Sequence, residues 1–128
     1  YRVTGLVEAV AAGETVLVPT AFRSATWQPC AEPDRVRATW TIGEFEIQVQ
    51  LHVGPGGELR AVSMLRWGNP GGVPFGAYPF GVVVEQEGSF GGLSIPTRFR
   101  AGWWWGTDRQ GDGEFFRAHI TAARFSMP

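Results

Sequence analysis

Apolar and polar residues alternate with a period of two along most of this chain, a pattern that an extended strand with one buried and one wet face uses and a helix does not. Val36, Ala38, Trp40 and Ile42 alternate with Arg35, Arg37, Thr39 and Thr41. After Gly43-Glu44, Phe45, Ile47, Val49, Leu51 and Val53 alternate with Glu46, Gln48, Gln50 and His52. The two runs predict an antiparallel hairpin with one apolar and one polar face. Gly54-Pro55-Gly56-Gly57 turns the chain, and Leu59, Ala61, Ser63, Leu65 and Trp67 are expected to continue the apolar phase on a third strand.

Asn69 to Tyr78 is rich in Pro and Gly and reads as a loop crossing to a new part of the sheet. Phe80 to Phe90 is strand again, with Val82 and Val84 on one side and Val83, Glu85 and Glu87 on the other. Gly91-Gly92 turns into Ile95, Thr97, Phe99, Ala101, Trp103 and Trp105, which alternate with Pro96, Arg98, Arg100, Gly102 and Trp104. Pro96 lacks a ladder donor and is expected at a strand start or an edge. Gly106 to Gly113 reads as a polar hairpin loop, and Phe116, Ala118, Ile120 and Ala122 mark a last strand. Upstream, Arg2–Val7 suggests a strand, Val7–Val18 leaves room for a short helix, and Ala25, Trp27 and Pro29 suggest another short strand. The expectation is an all-β fold: an antiparallel meander of about seven strands, curled into a half-barrel, with at most one short helix near the N-terminus. Residues 1–128 read as a single β domain.

Charged residues make up 18% of the chain and the formal net charge is -1, without the basic excess that phosphate neutralisation demands, so no nucleic-acid partner is expected. All eleven basic residues are Arg. Cys30 is the single cysteine, so no internal disulfide can form and cysteine usage assigns no compartment. No run is long and apolar enough for a membrane-spanning helix, no signal-peptide pattern is present, and the cytoplasm is the default reading of an otherwise unassigned location.

The aromatic residues stand out among candidates for function. Trp40, Trp67, Phe99, Trp103 and Trp105 fall on the apolar phase of their strands, with Phe80 nearby, and form either a core or the wall of an apolar groove. Trp104 falls on the other phase and is the one expected to be exposed or loop-covered. Arg98 and Arg100 are candidates for an anionic headgroup. Asp108 is expected to pair with Arg98, Arg100 or Arg117 and fix the last hairpin. His52 and His119 lie on polar phases and read as solvated, with no metal-ligand spacing around them. Asp108, Asp112 and Glu114 crowd one loop, but the spacing matches no calcium loop and Arg109 sits among them. Glu85 and Glu87, two apart on one strand, have the make-up of an acid–base pair but read as part of a hydrophilic outer face. No catalytic residue, metal site or cofactor is assigned.

Several segments resemble a family of uncharacterised bacterial proteins, common in actinobacteria, that carries a domain of unknown function. They are Val16–Ala21, Arg66-Trp67-Gly68-Asn69-Pro70, Tyr78-Pro79-Phe80-Gly81-Val82, Gly91–Arg98, Arg100–Arg109 and Gly113–Ala118. The resemblance runs from Val16 to Phe125 and is most specific from Ile95 to Arg117. It implies a curled sheet of the kind found in periplasmic lipoprotein carriers such as LolA and LppX. It also implies that this chain is the C-terminal part of a longer protein whose N-terminal half adds further strands.

Two readings of function follow, with a weaker third. In the first, a non-catalytic binding module holds a lipid or other apolar molecule against Trp40, Trp67, Phe80, Phe99, Trp103 and Trp105. In the second, an interaction domain has that face covered by a second copy or by the N-terminal half. The third is a hydrolase using His52 or His119.

Overall fold

The computed structural model describes residues 25–42 and 45–124. Seven strands follow one another: β1 (Thr26–Pro29), β2 (Arg35–Ile42), β3 (Phe45–Val53), β4 (Leu59–Gly68), β5 (Gly76–Phe90), β6 (Leu93–Trp103) and β7 (Glu114–His119). They form one open, curled antiparallel sheet in which each strand pairs with the next. The helix and strand expected before Ala25, and the turn at Gly43-Glu44, lie outside the described residues. A 3-10 turn at Pro70–Gly72 and a four-residue helical turn at Gln110–Gly113 are the helical pieces among the described residues.

Local chemistry explains the hairpins. Gly91 and Gly92 both take positive φ (57° and 82°), as a two-residue turn matching the strand twist requires, and they close the β5–β6 hairpin between Phe90 and Leu93. Register then places the apolar side chains together. Ala38 lies beside Val49, Leu51 beside Val62, Met64 beside Phe80, and Val82 beside both Val62 and Ala101. These residues and Phe99 form the core, in which Val49 and Val62 are fully buried. Each buried Val, Met or Phe side chain among them contributes about 1.5–3 kcal/mol of burial free energy.

Three expectations are corrected, and a fourth, the place of Pro96, holds in its edge form. On β4 the core phase belongs to Val62 and Met64, whereas Leu65 is 71% exposed. Both phases of this strand are apolar, and register with Leu51 and Phe80 selects the bulkier pair over Ala61 and Ser63. The loop after β4 crosses nothing, because β5 begins at Gly76 and returns directly beside β4. Strand β6 stops at Trp103, two residues early. Pro96 is the fourth residue of β6 and fully buried, but β7 pairs with β6 only from Arg98 onward. Among the described residues, its missing N–H therefore falls where β6 has one neighbour.

Two irregularities shape the far side of the sheet. Register shifts on either side of Gln86 separate the two glutamates. Glu85 forms an ion pair with Arg100 (3.4 Å), while Glu87 accepts the Leu59 N–H (3.1 Å), so they do not act as a pair. A second shift between Ala101 and Gly102 bulges β7 at Phe115. It brings Phe115 against Phe80 and Phe116 against Phe99 (centroids 6.2 Å in each case), both phenylalanines remaining about half exposed.

Candidate binding site on the polar face

The six aromatics expected on one wall do not share one. Phe80 and Phe99 are core, at 3% and 7% exposure. Trp103 joins them, edge-on to Phe80 at 5.5 Å and packed over Gly68, where a Cβ would strike the indole. Trp67 sits on the opposite phase of β4 from Met64, across from Ala77, and so faces away from Phe80. The side chain of Trp40 lies outside the described residues. Trp105 lies on the polar face of the sheet.

The reversal between Trp103 and Trp105 has a single origin. Trp104 has φ of 64°, the only positive φ among described residues other than glycine. The left-handed region is a real outlier for so bulky a residue and costs about 1–3 kcal/mol. Trp104 is held there by its own N–H donating to Pro79 O (2.8 Å) and by an edge contact with Tyr78 (5.5 Å). The Arg109 guanidinium, 4.3 Å above the ring, adds a third hold. Its carbonyl also accepts from the Thr107 N–H and hydroxyl (3.1 and 2.6 Å). The chain thus turns sharply after β6 and sends Trp105 across the other side.

There Trp105 meets a row of small residues. Gly102, Gly81 and Ser63 are cross-strand neighbours on β6, β5 and β4. The indole rests on Gly81 so closely that an added Cβ would collide with three of its ring atoms. Its far end reaches the His52 imidazole, edge-on at 5.7 Å. Trp105 therefore divides the polar face into two depressions. The smaller, about 140 Å³, lies toward β6 and is lined by Val83, Arg100, Gln110 and Glu114. The larger, about 530 Å³, lies over β2–β4 and is lined by Arg37, Glu46, Gln48, Gln50, Ser63 and Leu65 beside the indole.

The polar groups around the indole are organised. His52 shares a hydrogen bond with Ser63 (Nε2 to Oγ, 2.9 Å). It is half-buried rather than the fully solvated histidine expected. Burial first, and the Arg35 guanidinium second, hold its imidazole below the ordinary 6.5, against the opposing fields of Asp34 and Glu32. A serine hydrogen-bonded to a histidine is the start of a nucleophile–base pair, but no carboxylate hydrogen-bonds to this imidazole among the described residues. Gln48 donates to Glu46 (2.9 Å), which fixes one amide and one carboxylate side by side. No group of three metal-ligating side chains occurs among the described residues.

The arginines expected beside the aromatic wall face the polar side. Arg100 pairs with Glu85 and with Glu114 (3.5 Å), and Arg117 with the same Glu114. The hydrogen bond from Arg117, with Arg100 close by, holds the Glu114 carboxyl below its usual range. Glu114, not Asp108, therefore ties β6 to β7; Asp108 is exposed and makes no ion pair with these arginines among the described residues. Arg98 is exposed, across from His119. The cation on the aromatic side is Arg66, 4.5 Å above Phe80 and 5.6 Å from Trp103, a residue that alternation placed without remark.

A family of unknown function, DUF6920, matches residues 9–125. The chain belongs to that family. Neither a curated protein nor a solved structure matches it. The part of this DUF6920 domain that carries the divided polar face, from Arg37 to Glu114, lies within the matched segment.

Proposed function

We propose that the domain is a non-catalytic binding module and that its ligand lies on the polar face, against Trp105. The observation that carries this is the backbone of Trp104. A sheet that needed only to close its hairpin would use glycine at a left-handed position. This one holds a tryptophan there and thereby lays a second, partly exposed tryptophan across a row of Gly and Ser. Strain of that kind persists where the surrounding structure over-determines it, and such places cluster at binding sites. Organised polar groups around an aromatic surface are the usual make-up of a specific site.

A second reading keeps the apolar ligand, in the manner of a curled lipoprotein-carrier sheet. It is favoured by Phe115 and Phe116, half exposed at the β7 edge, near Trp103 and the Arg66 guanidinium. Phe80 and Phe99 are already consumed by the core, so this surface is a rim rather than a lined groove.

Ligand-observed NMR with a library of soluble fragments tests the first reading, comparing wild type with Trp105→Ala of equal secondary structure by circular dichroism. The expected result is a set of binders whose signal disappears in the variant. Binders that all persist in Trp105→Ala would sink it. Native mass spectrometry with an organic extract of the same sample tests the second: a co-purifying apolar molecule at fixed stoichiometry supports it, and a clean dimer would make the apolar rim an interface.

A further inference from the structure

We infer that the larger depression on the polar face takes a saccharide, with Trp105 as the stacking platform. The inference rests on the polar face being the ligand seat and names the chemistry that seat fits.

The lining selects among ligand classes. Arg37 and Glu46 contribute one charge of each sign, so the depression offers no net field to an anion, and a phosphate or carboxylate would have to approach Glu46. Its apolar lining is Leu65, the indole and the nearly buried Val49 and Met64, and an acyl chain lying on it would cover Gln50 and waste the hydrogen-bonding capacity that Gln48 and Ser63 keep beyond their bonds to Glu46 and His52. What remains is dense in neutral groups that both donate and accept. Gln48 and Gln50 project from alternate positions of β3 and Ser63 stands beside Gln50 on β4, so all three share a face at fixed spacing. Each primary amide presents a donor and an acceptor side by side, which matches the paired donor and acceptor capacity of neighbouring hydroxyls.

The platform fits as well. A sugar ring has an apolar face of C–H bonds and a rim of hydroxyls, and it settles on an indole with the rim directed to the polar groups around it. Gly81 backs the Trp105 indole, and the partly exposed ring borders the depression, where a ligand would meet it. The ring is fixed from below by the glycine and at its end by His52. It therefore loses little rotamer freedom on binding, and preorganisation of this kind reduces the cost of association. The opening of about 530 Å³ is of ordinary ligand size and is open along the sheet, which suits a stretch of a chain rather than an enclosed monosaccharide.

Isothermal titration calorimetry of the whole chain with hexasaccharides of glucose, xylose, mannose and N-acetylglucosamine tests this. At least one is expected to bind, with affinity falling about tenfold or more in Trp105→Ala and by a similar factor in Gln50→Leu. Gln50→Leu keeps the indole in place, so it serves if Trp105→Ala misfolds. In wild type, the bound saccharide should also shift the Trp105 indole N–H resonance. Failure of all four sugars to bind overturns the inference, and if fragments still depend on Trp105 the binding seat survives while the ligand class does not. Sugar binding at wild-type affinity in both folded variants also overturns it, because the sugar then sits elsewhere.

Discussion

Gly81→Ala is a sharp probe of the polar face, because the substitution adds one methyl group at the point where Trp105 rests on the sheet. The new Cβ would overlap the indole, and the ring must lift or rotate away. A fully buried tryptophan removes about 150–250 Å² from water. Trp105 is mostly buried, but its ring would tilt rather than leave the sheet altogether, so roughly half of that area is at stake, which at about 25 cal/mol per Å² amounts to about 2–3 kcal/mol. Against this, alanine in a strand interior is better than glycine by about 0.5–1 kcal/mol. The net expectation is a loss of about 1–2 kcal/mol, or about 3–6 °C in Tm for a chain of this size. Urea unfolding at constant m-value measures it. The decisive arm is a double-mutant cycle: with Trp105→Ala already present there is no ring to displace, and Gly81→Ala should become neutral or stabilising. A coupling of about 2 kcal/mol between the two positions is expected. If Gly81→Ala stabilises the wild-type chain, or if the two changes simply add, Trp105 does not lie on Gly81 and the divided polar face is wrong.

Three further outcomes follow from the same geometry. Gly102→Ala would drive a Cβ into the Gly113 carbonyl and Glu114 Cα, backbone that cannot rotate aside, and should cost about 1–3 kcal/mol or more by chemical denaturation; a neutral result would mean the β6–β7 bulge is misplaced. At position 104, Trp104→Gly should be more stable than Trp104→Ala by about 1 kcal/mol, since both lose the ring contacts but only alanine pays the left-handed penalty; equal stabilities would refute the positive φ. For His52 the folded pKa lies below the unfolded 6.5, so its contribution to stability is fully present above pH 6.5 and is lost as pH falls from there through the folded value. An NMR titration should give a His52 midpoint below 6.5, and His52→Gln should remove that part of the acid destabilisation. A midpoint at or above 6.5 would contradict the half-buried position beside Trp105.

The strands themselves were legible because their signals are local. Alternation along β2 and β3, the Gly91-Gly92 turn and the glycine-rich break after Val53 each act within a few residues, and local sterics settle them. The polar face of β3 was legible for the same reason: Glu46, Gln48, Gln50 and His52 face one side as their spacing demands. Alternation fails where both phases are apolar, as on β4, because a period-two pattern cannot then distinguish inside from outside. Trp67 was lost to the apolar side in this way, and Glu85 and Glu87 were parted by shifts that leave no mark in composition.

The cluster around Trp105 shows most clearly what the amino-acid order left open. Simple alternation carries the three consecutive tryptophans before Gly106 along one strand, and nothing in that run marks the reversal. A single residue entering the left-handed region sends the side chain after it to the opposite face, and whether Trp104 can hold that conformation depends on Pro79, Tyr78 and Arg109. Likewise Gly102, Gly81 and Ser63 are unremarkable in three separate stretches of sequence and become a channel only when register aligns them. Sequence by itself determined that this chain would be a meander of strands with turns in the places observed, since those are short-range properties of the backbone. Tertiary pairing decided which tryptophan is core, which arginine faces which carboxylate, and where a ligand seat exists, since each depends on neighbours brought together from distant parts of the chain.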